Sequence, residues 1–214
     1  DGRLPYSAEG RKRFAEAVTG IRTNFDGPEG RQVAERCLMG FGSTAGPPMM
    51  NVLYNNTYQI QQTADAVVIV VEMNHDARVI RLGETRRLPG HVRQWMGESI
   101  GRWEGDTLVV ETTGFHPGEQ LRPGIPTTFY VSKDAKVTER FTRISDQQIR
   151  YEFTVDDPAT YTRPWKGEMP FNAAKGPVYE YACHEGNYAL PGILRGARVA
   201  EAEGRKPEAV DVGE

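Results

Sequence analysis

The chain has 214 residues, of which 38% are hydrophobic and 26% are charged, so it can bury a core and is too apolar to be disordered throughout. Its 26 Lys and Arg residues are balanced by 29 Asp and Glu residues, and the net charge of −3 argues against nucleic-acid binding. No apolar run approaches the roughly 20 residues of a membrane span, so we expect no transmembrane segment. The 23 Gly and 14 Pro residues favour a turn-rich, mainly β protein over a helical bundle.

Residues 1–50 are expected to form a helical and irregular segment that packs on the main domain. Ser7 is suited to capping a helix over residues 8–18, where the apolar positions partly follow a 3.6-residue period. A second short helix is expected over residues 30–37. Gly and Pro residues between positions 40 and 48 then interrupt regular structure.

The pattern in residues 51–200 is typical of antiparallel β-structure. Runs of β-branched and aromatic residues are separated by turn signals, with no helical crossovers, and around the turn at 145–147 apolar and polar side chains alternate. The predicted strands are 54–63, 66–73, 77–82, 102–103, 107–113, 137–144, 148–155, 165–171 and 178–183. We therefore expect an antiparallel meander that closes into a barrel of about eight strands, since closure removes the sheet edges. Residues 201–214 are polar and aperiodic, which predicts a flexible tail.

The two cysteines, Cys37 and Cys183, are expected to form a disulfide, with two free thiols in a cytosolic protein as the alternative. Metal binding by the pair is disfavoured, because neither has a second cysteine at zinc-site spacing. A bridge between residues 146 apart would stabilise the fold by about 5 kcal/mol in the chain-entropy model. Together with a chain that opens at Asp1 rather than at Met, the expected disulfide indicates a processed protein that is periplasmic or secreted.

Several segments carry a resemblance to a known family. They include RQWMGESIGRWEGDTLVVETTGF (93–115), YEFTVDDPATYTRPW (151–165) and VYEYACHEGNYALPGILRGAR (178–198). These segments resemble a bacterial family of exported proteins that has no assigned activity. The stretch 101–108 and the meander are similar to a lipocalin-type barrel. The resemblance implies export and a single, lipocalin-like β domain, and it supplies no catalytic residues.

Acid–base chemistry is the first functional hypothesis, with a lyase, hydratase or isomerase as the reaction class. The sequence offers no cofactor motif, and the G-x-S-x-G match at 97–101 lacks the helix that a nucleophile elbow needs. We therefore expect no cofactor. The catalytic candidates are His75 as general acid or base, with Glu72 or Asp76 to orient it. Arg78 would hold an anionic or oxyanion group, and Tyr54 or His184 would be the second proton donor.

Glu72 also has a structural interpretation. It ends a β-branched run on the face of Val68 and Val70, so it would be a buried carboxylate if that face points inward. An ion pair between Glu72 and Arg78 that closes the hairpin is the alternative to a catalytic role.

Aromatic and polar side chains at strand ends are candidates for a small-molecule pocket, because tyrosine and tryptophan offer both apolar area and a hydrogen-bond donor. The substrate-binding candidates are Trp95, Trp103, His116, Trp165, Tyr181 and Glu185. If His75, His116 and His184 converge at one barrel mouth, a metal site is a weaker possibility whose ligands the spacing does not identify. A non-catalytic binding barrel for a small organic ligand and a structural module of the cell envelope are the alternative functions.

Overall fold

The computed structural model describes residues 2–84, 86–118, 121–123 and 127–205. It contains two α-helices, α1 (Ala8–Thr23) and α2 (Ala189–Ala202). The strands are β1 (Tyr58–Gln62), β2 (Ala66–Val71), β3 (Ala77–Leu82), β4 (Glu98–Glu104), β5 (Thr107–Thr113), β6 (Leu121–Arg122), β7 (Phe129–Tyr130), β8 (Lys136–Ser145), β9 (Gln148–Asp156) and β10 (Trp165–Asn172). In the part of the chain that the structure describes, neither helix combines the length and hydrophobicity needed to cross a membrane.

Eight strands form one curled sheet in the order β1-β2-β3-β4-β5-β8-β9-β10, while β6 pairs with β7. The sheet curls into a half-barrel, which confirms the mainly β prediction. Its edge strands are β1 and β10, and within the described residues they are not hydrogen-bonded to each other. The closed barrel that we expected is therefore not confirmed. Pro170 on β10 fits an unclosed edge, because proline has no N–H to donate to a neighbouring strand.

One strand pair departs from the predicted antiparallel meander. β3 and β4 are parallel, with Ile80 opposite Ser99 and Leu82 opposite Gly101, whereas every other neighbouring pair of the large sheet is antiparallel. The connection from Leu82 to Glu98 is long enough to carry the chain back along the sheet without a helix. The absence of helical crossovers in the sequence therefore did not exclude a parallel pair.

The half-barrel has two ends that differ in what they carry. We call the end with the β4–β5 and β8–β9 turns the upper end, where Glu104 pairs with Thr107 and Ser145 pairs with Gln148. The opposite, lower end carries the β2–β3 connection and its short 3₁₀ turn, Met73–His75. The strand registers place every residue named below at one of these ends.

Side chains alternate between the two faces of the sheet. On β8, Val137, Glu139 and Phe141 are buried, and on β9 Tyr151 and Phe153 are buried opposite them. This confirms the alternation predicted for that hairpin. Each large apolar side chain removed from water here stabilises the fold by about 1.5–3 kcal/mol.

The N-terminal segment begins with the predicted helix. Ser7 caps α1, because its hydroxyl accepts a hydrogen bond from the Gly10 amide at 2.9 Å. Gly10 is buried directly against the backbone of Thr160, and a Cβ at position 10 would lie 1.9 Å from the Thr160 carbonyl oxygen. The second predicted helix, over 30–37, is wrong: turns occupy this stretch, and Cys37 has a positive φ of 55° that no α-helix accommodates.

Residues 42–50, which we call the plug, are all buried. The Met49 amide donates to the Tyr151 hydroxyl at 2.7 Å, and the Thr44 carbonyl oxygen accepts from the Tyr58 hydroxyl at 3.0 Å. The Thr44 hydroxyl also donates to the Met73 sulfur at 3.5 Å. These contacts seat the plug against the inner face of the half-barrel towards its lower end.

The C-terminal part differs most from the prediction. Residues 178–183 are irregular, so the strand predicted there is wrong, and the chain then forms α2. The predicted disulfide is confirmed: Cys37 and Cys183 are bonded, with their Cα atoms 5.8 Å apart. Of the predicted flexible tail, residues 206–214 lie outside the described residues.

Candidate functional site

A cavity of about 640 Å³ lies inside the half-barrel and extends from its upper end, where the β8–β9 turn lines it, to Asn56 and Thr57 near its lower end. Its apolar wall is formed by Tyr58, Ile60, Val67, Ile69, Trp103, Leu108, Phe141, Ile149 and Phe171. Its polar rim includes Gln62, Asp106, Arg143, Asp146, Gln148 and Asn172. The wall comes from the inward-facing positions of alternate strand residues, so the period-two pattern of these strands is what makes the cavity apolar.

The cavity wall continues between the two sheet edges through aromatic stacking. The rings of Tyr58 on β1 and Phe171 on β10 are stacked with centroids 5.2 Å apart, and Phe171 also stacks on Tyr151 at 4.9 Å. Phe141 packs beside Tyr151 at 4.9 Å. These rings form one apolar surface, in which Tyr58, Phe141 and Phe171 line the cavity and Tyr151 packs against them.

A buried ion pair lies next to the Tyr151 hydroxyl. Arg78 on β3 donates through Nη1 and Nη2 to the two carboxylate oxygens of Glu139 on β8, at 3.0 and 2.6 Å. Arg78 also donates to the Ser99 hydroxyl at 3.3 Å, and Ser99 shares a hydrogen bond with Thr112 at 2.8 Å. Burial alone would lower the pKa of Arg78, but the charge of Glu139 and the hydrogen bonds to it raise the pKa, so Arg78 stays charged.

Two tyrosine hydroxyls border this network and are held neutral. Burial raises the pKa of Tyr151, whose hydroxyl donates to Glu139 at 2.7 Å. Burial also raises the pKa of Tyr58, although the nearby charge of Arg78 opposes the shift. Tyr58 therefore presents a neutral ring in the cavity wall, while its hydroxyl donates to the Thr44 carbonyl oxygen of the plug.

The structure corrects the predicted partner of Arg78. Glu72 is buried, as expected, but its carboxylate accepts from Asn55 Nδ2 at 2.6 Å and from the Tyr179 amide at 3.4 Å, with Arg78 paired to Glu139 instead. The reason is that Glu72 leaves the strand with helical φ and ψ angles. Val67, Ile69 and Val71, rather than the Val68 face, point into the core.

Several predicted catalytic residues lie together at the lower end. Asp76 accepts from the Gly40 amide at 2.6 Å, and burial raises its pKa while that hydrogen bond, Asn74 and the charges of His75 and Arg122 partly offset the shift. His75 is exposed at the β2–β3 connection. Tyr54 lies beside Tyr181, where burial and then the proximity of Tyr54 raise the pKa of Tyr181.

The remaining predicted residues are dispersed. Trp103 lies at the upper end and lines the cavity. Trp95 packs on His116, with ring centroids 4.0 Å apart, next to the end of β5. Trp165 is surrounded by aromatic core rings at 5.4–5.8 Å. His184 and Glu185 are exposed immediately after Cys183.

Of the predicted site residues, Trp103 is therefore the one that lines the cavity, and the candidate histidines do not. Within the described ranges, no group of three or more His, Cys, Asp or Glu residues is arranged to hold a metal ion. Sequence reasoning missed Phe141 and Phe171 as wall residues and Glu139 as the partner of Arg78. A signal for Glu139 was present, because a carboxylate on the apolar face of β8 requires a buried cation.

No protein-family profile, curated protein or solved structure matches the chain.

Proposed function

We propose that the protein binds a small apolar or amphipathic organic molecule in the half-barrel cavity. The observation that carries the proposal is the combination of about 640 Å³ of space, an apolar wall and a polar rim. Binding sites for small organic ligands have volumes of about 300–1,000 Å³, mostly apolar linings and a few polar groups that orient the ligand. The apolar part of the ligand would lie against Ile69, Phe141 and Phe171, with its polar end at the rim.

Binding is favoured over the acid–base reaction by the position of the titratable groups. His75 and Asp76 lie at the lower end, at the β2–β3 connection, and neither residue lines the cavity. A general base must come within hydrogen-bond reach of its substrate, about 2.6–3.2 Å. The lyase, hydratase or isomerase hypothesis stays a prediction, since it needs a substrate bound at the lower end.

The disulfide supports the further proposal that the protein is exported, because disulfides form and persist mainly in oxidising compartments. The curled mainly β sheet supports the resemblance to a lipocalin-type barrel, of which an unclosed half-barrel would be a variant. Both proposals are independent of what the cavity binds.

Ligand binding can be tested with anilinonaphthalene sulfonate, a fluorescent probe with an apolar body and a polar group, and with decanoate as a competitor. Both should raise the melting temperature, since a ligand that binds only the folded state stabilises it. Ile60→Trp would fill the cavity from its wall, whereas Val79→Trp adds the same side chain to an exposed position on β3 and serves as the matched control. We expect Ile60→Trp to weaken binding about tenfold or more, and Val79→Trp to leave it unchanged.

Equal binding by both tryptophan variants would show that the probe binds elsewhere on the surface. No binding of either compound to the wild-type protein would reject the proposed function.

A further inference from the structure

The segment 173–188, which we call the strap, runs from one edge of the open sheet to the other. It leaves β10 at the upper end, where the Ala173 amide donates to the Gln147 carbonyl oxygen at 2.8 Å, and Ala173 and Ala174 line the cavity. At the lower end, the Tyr179 amide reaches Glu72, which follows β2, and Tyr181 lies beside Tyr54, which precedes β1. The strap thus crosses the side of the half-barrel where, among the described residues, β1 and β10 are not hydrogen-bonded to each other and the stacked rings of Tyr58 and Phe171 bridge the two edges.

Few non-covalent contacts hold the strap and the helix that follows it. Between residues 173 and 205, all of which the structure describes, no residue is buried, including the whole of α2. The attachments to the body are single hydrogen bonds, such as Arg198 to the Phe25 carbonyl oxygen at 2.7 Å and Asn187 to the Glu35 carbonyl oxygen at 3.0 Å. Tyr181 is the strap side chain that packs, partly buried, against the core. A segment with so little buried apolar area opens at low free energy, so the covalent bond to Cys37 becomes its main restraint.

The surface that receives the lower end of the strap has an unusual backbone. Among the described residues, those other than glycine with positive φ are Cys37, Asn55, Asn74 and His75, and all of them belong to this surface. The Asn74 side chain donates to the Cys37 carbonyl oxygen, and Asn55 donates to Glu72, the acceptor of the strap amide. Such conformations persist only where surrounding contacts enforce them and are concentrated at functional and switching elements.

We propose that the strap is a redox-controlled gate of the cavity, an inference that rests on the proposed ligand binding. With the Cys37–Cys183 bond intact, the strap stays across the open side. Reduction of that bond frees its lower end, so that the open side of the half-barrel is uncovered and the ligand exchanges faster. The upper end stays attached through β10, and the sheet itself is unchanged.

The reduction is a thiol–disulfide exchange with a dithiol as reductant. A thiolate of the dithiol attacks Cys183 Sγ, the sulfur of the half-buried cysteine, and Cys37 leaves as a thiolate. Asn187 Nδ2, 3.5 Å from Cys37 Sγ, is placed to donate to that leaving sulfur. The second thiol of the reductant then releases Cys183. Two electrons and two protons pass to the two protein thiols, and the reductant ends as a cyclic disulfide.

Hydrogen exchange on the full chain tests the gate directly. Exchange is compared between the oxidised protein, the same protein with excess dithiothreitol, and the variant with both Cys37→Ser and Cys183→Ser. We expect the hydrogen-bonded amides of 175–188, those of Tyr179, Cys183, Asn187 and Tyr188, to exchange about tenfold faster or more in the latter two states, while those of β8 and β9 are unchanged. The dissociation rate of anilinonaphthalene sulfonate is measured by stopped flow on the same three samples, and it should rise in parallel.

Each outcome decides the proposal. Unchanged exchange in 175–188 overturns it, and so does faster exchange throughout β8 and β9, because the disulfide would then hold the whole fold. Faster strap exchange with an unchanged dissociation rate shows that the strap does not gate the cavity. If the probe binds none of the samples, the proposed function fails by itself, while the exchange data still decide whether reduction releases the strap.

Discussion

Replacing Glu139 by Gln tests whether the buried ion pair determines the stability of the fold. The Arg78 side chain is 1% exposed and that of Glu139 is not exposed, so neither charge has access to water. Glutamine keeps the shape of Glu139, but it removes the negative charge and turns one acceptor oxygen into an amide donor. The buried guanidinium is then left without its counter-charge.

The expected loss is large relative to the stability of a typical domain. Removing one partner of a buried ion pair lowers the unfolding free energy by about 3–5 kcal/mol, against about 5–15 kcal/mol in total for a natural domain. The Tyr151 hydroxyl loses its charged acceptor in the same substitution, and this loss is part of the same figure because the groups form one network. We therefore expect Glu139→Gln to lower the unfolding free energy by about 3–5 kcal/mol.

Urea unfolding followed by tryptophan fluorescence and circular dichroism measures this change. Glu104→Gln is the matched control, because Glu104 pairs with Arg140 on the outside of the sheet and its loss should hardly move the midpoint. The double variant Arg78→Met and Glu139→Leu should recover most of the stability, since it removes both members of the buried pair and leaves neither charge without its partner. A loss for Glu139→Gln no greater than that for Glu104→Gln would refute the reasoning.

Further substitutions test separate parts of the structure by urea unfolding. Gly10→Ala should lower the unfolding free energy by about 1–3 kcal/mol, because the added Cβ clashes with the Thr160 carbonyl oxygen. Gly20→Ala, whose Cβ would meet no atom within 4 Å, should stabilise the same helix by about 1 kcal/mol. If both substitutions changed stability in the same direction, the described packing of α1 would be contradicted. Burial raises the pKa of Asp76, so its contribution to stability is present below about pH 4 and is lost as the pH rises through the raised value. Asp76→Asn should remove this loss of stability with rising pH. If the variant kept the pH dependence of the wild-type protein, the loss would not come from Asp76. Reduction of the Cys37–Cys183 bond should lower the unfolding free energy by less than the ~5 kcal/mol of the chain-entropy model, because the freed strap also gains conformational entropy in the folded state. A reduced protein that no longer unfolded cooperatively would contradict this expectation.

Strands with clear alternation could be predicted from the sequence. The bounds of β3 and β5 are as predicted, and those of β8 and β9 differ from the prediction by one residue at some ends. Segments whose structure depends on tertiary contacts could not be predicted from the sequence. Strands β6 and β7 have only two residues each. Residues 178–183 are apolar enough for a strand, but the disulfide and a hydrogen bond to Glu72 hold them in an irregular conformation. In α2, Pro191 and two glycines hide the helical pattern, although proline is tolerated in a first turn.

The position of the cavity could not be predicted, because the sequence does not show which end of the sheet the plug occupies. His75 and Trp103 are both near strand ends, but they lie at opposite ends of the half-barrel. That distinction depends on strand direction, and the parallel β3–β4 pair changes the direction that a simple meander predicts. The grouping of Glu72, His75 and Asp76 could be predicted, since these residues are close in sequence.

The plug makes folding depend on contacts between distant parts of the chain. The Met49 amide bonds to the Tyr151 hydroxyl across 102 positions of the chain, so the hydrophobic interior is complete only when the plug and the late strand β9 are present together. Contacts between such distant positions slow folding, because the entropy of closing a long loop is lost before the stabilising contact forms. A chain shortened to begin at residue 51 would leave the Tyr151 hydroxyl without its amide donor and an empty space where Met49 and Met50 now lie. The first fifty residues are thus an integral part of the β domain, although no strand of the sheet comes from them.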